Sequence, residues 1–90
     1  MYTVDYTKAA KKTLAKWKKS NPQLFKKATS ILQDIMEHPR IGLGPPEPLV
    51  GGDDITYSRH ITAHDRIIYD IYEETVSVLV IQAEEHYDDK

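Results

Sequence analysis

The spacing of apolar residues changes three times along the 90-residue chain, and each change marks an element. Tyr2, Val4 and Tyr6 alternate with Thr3 and Asp5, the period of a short strand. From Ala10 the period lengthens. Ala10, Leu14 and Trp17 fall at i, i+4 and i+7 on one face of a helix that Thr7 can cap and that runs to about Trp17. Ser20-Asn21-Pro22 breaks it and opens the next helix, with Asn21 as cap and Pro22 in the first turn, where a missing N–H costs nothing. Leu24, Ala28, Ile31, Leu32, Ile35 and Met36 continue the helical stripe to about His38, and Pro39 ends it.

Residues 39–54 hold every glycine and most of the prolines, which predicts a loop. Alternation then returns. Tyr57–Thr62 and Arg66–Tyr72 read as a hairpin closed by Ala63-His64-Asp65, and Glu73-Glu74 as a second reversal, although neither residue favours one. Val76–Ile81 is apolar on both faces and so reads as an inner strand. The order of one strand, two helices, then strands predicts an α+β fold. A two-helix hairpin covers one face of a small, twisted, largely antiparallel sheet, within a single domain spanning 1–90. An even register sum in the hairpin puts His60 and Arg66 on one face and Ile61, Ile67, Tyr69 and Ile71 on the other, where the helices belong.

Composition narrows the classes. Hydrophobic residues make up 40% and charged residues 29%, the balance of a globular domain rather than a disordered or membrane-spanning chain. So short a chain buries a small core, which leaves room for stabilisation by a partner or a second copy. The absence of cysteine excludes disulfides, thiolate metal sites and a cysteine nucleophile, and fits a reducing cytoplasm. No apolar run reaches membrane-spanning length, and the first residues, MYTVDYTKAAKK, lack the apolar stretch expected of a signal peptide. The net charge of −2 conceals an asymmetry: residues 1–33 contain eight lysines and one acid, Asp5. Lys11, Lys12, Lys18 and Lys19 lie on the first helix, and such a face attracts a phosphate backbone whatever the net charge. It is equally the composition of a plain solvated face.

Packing does not require the polar groups of the second half. Glu47 lies between Pro46 and Pro48, which stiffen the backbone around its carboxylate. His60 and Arg66 line the open face. The bland readings stay open at this level. Glu47 can be a solvated loop residue, Arg66 a surface ion pair with Asp65 or Asp70, and His86-Tyr87 a frayed end.

Together, Pro46-Glu47-Pro48-Leu49, Tyr57-Ser58-Arg59-His60-Ile61, His64-Asp65-Arg66-Ile67-Ile68-Tyr69 and His86-Tyr87 form a pattern that resembles the YoeB/Txe branch of the RelE superfamily. These are toxins of bacterial toxin–antitoxin pairs. The resemblance covers nearly the whole chain in order and spacing. It implies an endoribonuclease that cuts messenger RNA in the ribosomal A site without a metal or other cofactor. In that chemistry the ribose 2′-oxygen attacks the adjacent phosphorus. Glu47 matches the general base, His86 the general acid, Arg66 the cation that neutralises the phosphate, and Tyr87 the aromatic beside it. Arg59 and His60 match RNA-contacting positions. The implied partners are a cognate antitoxin, the ribosome and its mRNA, operator DNA through the antitoxin alone, and a second copy of the chain.

Four departures stand out. The family commonly carries lysine after PEPL, where this chain has Val50, and a second arginine after Ser-Arg, where it has His60. Imidazole is charged only part of the time near neutral pH. Asp65 separates His64 from Arg66, and Asp88-Asp89-Lys90 extends past the usual end. A second reading therefore stands beside the first: a toxin-fold subunit of low or no activity that binds an antitoxin in a DNA-bound repressor complex. A third is a basic RNA- or ribosome-binding module that does not cut. The four histidines lack zinc-like spacing, and no Ser-His-Asp set or phosphate-binding glycine loop is present.

Overall fold

The computed structural model describes residues 1–40, 46–48 and 55–85. Strand β1 (Thr3–Tyr6) leads into helices α1 (Lys8–Ser20) and α2 (Pro22–Glu37), followed by strands β2 (Glu47–Pro48), β3 (Thr56–His60), β4 (Asp65–Tyr72) and β5 (Ser77–Glu85). The five strands form one sheet in the order β1-β5-β4-β3-β2. Only β1 runs parallel to its neighbour, β5; the other pairs are antiparallel. This is the expected α+β arrangement, and β5 is an inner strand, as its two apolar faces imply.

Local chemistry accounts for the helix boundaries. The Thr7 hydroxyl accepts from Ala10 N–H at 3.2 Å and starts α1. The helix runs one turn past Trp17, to Ser20. Asn21 serves both sides of the junction: its N–H donates to Trp17 C=O, and its Oδ1 accepts from Leu24 N–H at 3.3 Å to cap α2. Lys18 and Lys19 occupy the last turn of α1, where positive charge suits the helix dipole.

Ala10, Leu14 and Trp17 of α1 and Leu24, Ala28, Ile31, Leu32 and Ile35 of α2 pack on Ile67, Tyr69, Ile71, Val78, Val80 and Ala83 of the sheet. The β3–β4 register has the expected even sum, and it sets His60 opposite Arg66, Arg59 opposite Ile67 and Tyr57 opposite Tyr69. Odd positions of β3 and β4 therefore face the helices, and even positions face away.

Two features were not foreseen. Between Ile68 and Tyr69 the register against β5 shifts from Gln82 to Val80, a bulge that leaves Ile81 unmatched. The Thr7 hydroxyl donates to the Ile81 carbonyl, so the residue that caps α1 also satisfies the bulge. The bulge changes parity along β5: Val80 is buried, and beyond it Ala83 rather than Gln82 turns inward. In the reversal expected at Glu73-Glu74, which spans 73–76, Val76 belongs to the turn rather than to β5, and its φ of 49° is a left-handed conformation that strains a β-branched residue.

Candidate functional site

Glu47 enters the sheet rather than a free loop. It is the Cα partner of Ser58 on the edge strand β2, and Pro48 that of Tyr57. Ser58 pairs onward with Ile68, while His60, two residues along β3, pairs with Arg66. Directly opposed residues share a face. Glu47, Ser58, His60, Ile68 and Arg66 therefore lie on the face away from the helices. Glu47 and His60 are exposed and Arg66 half-buried. Two strand spacings and two residues separate Glu47 from Arg66, about 12 Å between backbones. Two long side chains can approach one phosphodiester across that distance, with His60 on the diagonal between them. Position 84 of β5 stands opposite Arg66 on its other side. His86, Tyr87 and Val50 lie outside the described residues.

The hydroxyl-rich surroundings occupy the nearby acids. Asp70 accepts from Thr56 at 2.6 Å and from Tyr72 at 3.2 Å. Asp65 accepts from the Thr62 hydroxyl at 2.7 Å, and that oxygen accepts in turn from the backbone N–H groups of His64 and Asp65, each at 3.1 Å. The aspartate inserted before Arg66 thus organises the turn, and His64 stands exposed upon it.

Arg59 corrects an expectation. An RNA contact requires an accessible guanidinium, but this side chain has no exposed surface. It points into the helix side, where it pairs with Asp34 of α2, donates to the His38 carbonyl, and donates to the Tyr69 hydroxyl at 3.1 Å. The same register that turns His60 outward turns Arg59 inward. Asp34 was not singled out from the sequence. Its signal was available: it is the first acid after Asp5, and it adjoins the stripe residue Ile35.

A second cluster also escaped the sequence reading. Arg40 donates to Glu73 through Nε at 2.8 Å and to the Tyr57 hydroxyl through Nη1 at 2.8 Å. Its guanidinium lies 5.5 Å from the Tyr57 ring centroid. Tyr2 donates to the other Glu73 oxygen at 2.6 Å. The Tyr2 and Arg40 hydrogen bonds hold the Glu73 carboxyl below its ordinary range, and the same bond to Glu73 raises the Tyr2 phenol. These partners are 33 and 71 residues from Glu73, so no local pattern announces them.

Lys11, Lys12, Lys18 and Lys19 are exposed on α1, across the sheet from Arg66. Lys12, Lys16, Lys18 and Lys19 line a shallow groove of about 620 Å³ with Ala15. That lining can bind an anionic surface but carries no acid–base pair. Among the described residues no cluster of histidine and carboxylate groups could hold a metal ion, and no helix is long and apolar enough to cross a membrane.

Comparison with known proteins follows the same lines. Residues 6–87 match the model of a YoeB-like toxin of the bacterial type II toxin–antitoxin system. Toxin YoeB of Escherichia coli O6:H1 is 31% identical over 71 residues, covering 79% of this chain and 82% of that one. Toxin YoeB of Streptomyces coelicolor gives the same identity and coverage. Among solved structures, a YoeB/ParE toxin from Agrobacterium tumefaciens superposes with a TM-score of 0.85 at 28% identity, covering 94% of this chain and 99% of that one. The toxin in a heterotetrameric YoeB–YefM toxin–antitoxin complex from Staphylococcus aureus shares the fold, with a TM-score of 0.78 at 20% identity over 97% and 99% of the two chains. Fold, motif order and sequence agree that the chain belongs to the YoeB-like toxin family of bacterial type II toxin–antitoxin systems.

Proposed function

We propose that this chain is an endoribonuclease toxin that acts in the cytoplasm and cuts mRNA held in the ribosomal A site. Glu47 takes the proton of a ribose 2′-OH, and the oxygen attacks the adjacent phosphorus. Arg66 holds the negative charge that grows on the phosphoryl oxygens, His86 protonates the departing 5′-oxygen, and Tyr87 holds the substrate. The observation that carries this reading is the shared face: Glu47 and Arg66 stand on one side of a single sheet, on strands whose register fixes them. A general base or acid contributes roughly 10²–10⁴-fold. A fixed guanidinium adds charge stabilisation where charge develops. The roles of His86 and Tyr87 rest on the motif resemblance.

The ribosome supplies what this site lacks. Val50 and His60 leave it with few permanent cations, and affinity for free RNA depends on how many phosphates are neutralised. The lysines of α1 lie across the sheet, so they suit docking on ribosomal RNA while the open face meets the message. The restraining partner is a cognate antitoxin; the Staphylococcus aureus relative was solved in complex with its antitoxin YefM. Operator DNA is reached through that antitoxin. A second copy is a further partner class, as another Staphylococcus aureus structure is of a YoeB dimer.

The test is one purified mRNA with and without ribosomes, using wild type and Glu47→Ala. Cutting is expected only with ribosomes and only with Glu47. Equal cutting without ribosomes would leave a free ribonuclease. Valine at position 50 and histidine at position 60 favour one competing reading, a repressor subunit without useful catalysis. Tight antitoxin binding with no cutting under either condition would support it.

A further inference from the structure

Three consecutive residues after α2 are each tied to a different side chain of the sheet. The His38 carbonyl accepts from Arg59. The Pro39 carbonyl accepts from the Tyr69 hydroxyl at 2.7 Å. Arg40 donates to the Tyr57 hydroxyl at 2.8 Å and lies over its ring. The chain returns to the sheet at Glu47 and Pro48, and Pro48 is the cross-strand partner of the same Tyr57. One tyrosine thus meets Arg40 through its side chain and pairs through its backbone with Pro48, the neighbour of Glu47. Tyr57 has little freedom of its own, because its ring stacks on the fully buried Tyr69 at 6.2 Å between centroids.

Strand β2 needs such an anchor. Among the described residues it is two residues long and lies at the sheet edge, and one of the two is a proline that cannot donate to the ladder. Backbone pairing alone is a weak restraint on the Glu47 carboxylate.

We propose that Arg40 and Tyr57 are positioning residues that fix Glu47 relative to Arg66, with Glu73 and Tyr2 holding the far side of the Arg40 guanidinium. This rests on the reading of Glu47 as general base. The planar guanidinium is essential to the device. Nε and Nη2 reach one Glu73 oxygen, each at 2.8 Å, while Nη1 reaches Tyr57, so three donors are used in fixed directions. A lysine cannot reproduce that fork. A base displaced by about 1 Å can cost 10²-fold in rate.

The experiment combines Tyr57→Phe and Arg40→Lys, each in wild type and in Glu47→Ala. The first readout is amide hydrogen exchange at Glu47 and Ser58 against amides of the β4–β5 ladder. The second is single-turnover mRNA cleavage on ribosomes across protein concentration, well below the melting temperature. Tyr57→Phe removes one oxygen and keeps the stacked ring. It is expected to speed exchange at Glu47 several-fold and leave the β4–β5 ladder unchanged. The maximal cleavage rate should fall roughly 10- to 100-fold, with the half-saturating concentration unchanged. Arg40→Lys should behave alike. Neither substitution should slow the Glu47→Ala protein further, because the group being positioned is gone. Unchanged exchange at Glu47, or the same fold loss in the Glu47→Ala background, overturns the proposal. If wild type fails to cut on ribosomes, the functional reading falls, and exchange alone decides whether the clamp holds β2.

Discussion

Replacing Asp34 by alanine leaves the Arg59 guanidinium inside the protein without its carboxylate. Arg59 has no exposed surface, and the His38 carbonyl and Tyr69 hydroxyl, to which it also donates, are neutral. Removing one member of a buried ion pair costs about 3–5 kcal/mol, because the remaining charge stays desolvated. The Asp34 side chain is 18% exposed, so water can enter part of the space it vacates, which places the loss near about 3 kcal/mol. A chain of this size has a total stability of roughly 5–13 kcal/mol, so the change is large. It corresponds to a fall in Tm of about 12–24 °C. The double variant Asp34→Leu with Arg59→Met desolvates no charge and should regain most of the loss. Urea unfolding followed by Trp17, the single tryptophan and 1% exposed, reports these values, with the slope m expected to be unchanged. A loss below about 1 kcal/mol for Asp34→Ala, the level of a solvated surface pair, would refute the burial argument. So would a double variant as unstable as the two singles added together.

Other expectations are more local. Val76→Gly should stabilise by about 0.5–1 kcal/mol, since relief of left-handed strain at an exposed β-branched residue outweighs glycine's added unfolded-state entropy; thermal melts check it. Asn21→Ala removes the cap of α2 and should cost about 1 kcal/mol by the same assay. Tyr2→Phe should move the Glu73 carboxyl back up towards its ordinary value, because the hydroxyl bond is the first cause of its lowering; carboxyl NMR titration reads the shift directly. The sign for stability follows: the Glu73 contribution is complete above the ordinary carboxylate pKa and fades as pH drops through the lowered one. The Tyr2 contribution runs the other way, complete below about 10 and lost as pH rises through its raised value. His60→Arg places a permanent charge opposite Arg66 and should raise ribosomal cleavage; an unchanged single-turnover rate would show that a lasting charge there is not limiting.

The helices, the longer strands and their faces are legible in the residue pattern, because these depend on periodicity and on residues near one another; β2 is not, since Glu47 and Pro48 lie in a stretch whose glycines and prolines read as a loop. The stripe from Leu24 to Ile35 required a helix with one buried side, and Asn21-Pro22 required the break before it. Alternation in β3 and β4 left one parity that buries Ile67, Tyr69 and Ile71 together and puts His60 and Arg66 on one face; the direct opposition of those two came with the register itself. The fate of Arg59 was implicit in the same parity, but a charge on the core side is expected only once its partner is known, and Asp34 is 25 residues away. Only the tertiary structure brought them together, as it did Arg40 with Tyr57 and Glu73. Spatial closeness between distant segments depends on how the helices seat on the sheet, and no local period records it. The bulge at Ile81 is of the same kind. It switches which positions of β5 face the helices, and it is held by the hydroxyl of Thr7, 74 residues earlier, through a contact that exists only once β1 and α1 have docked.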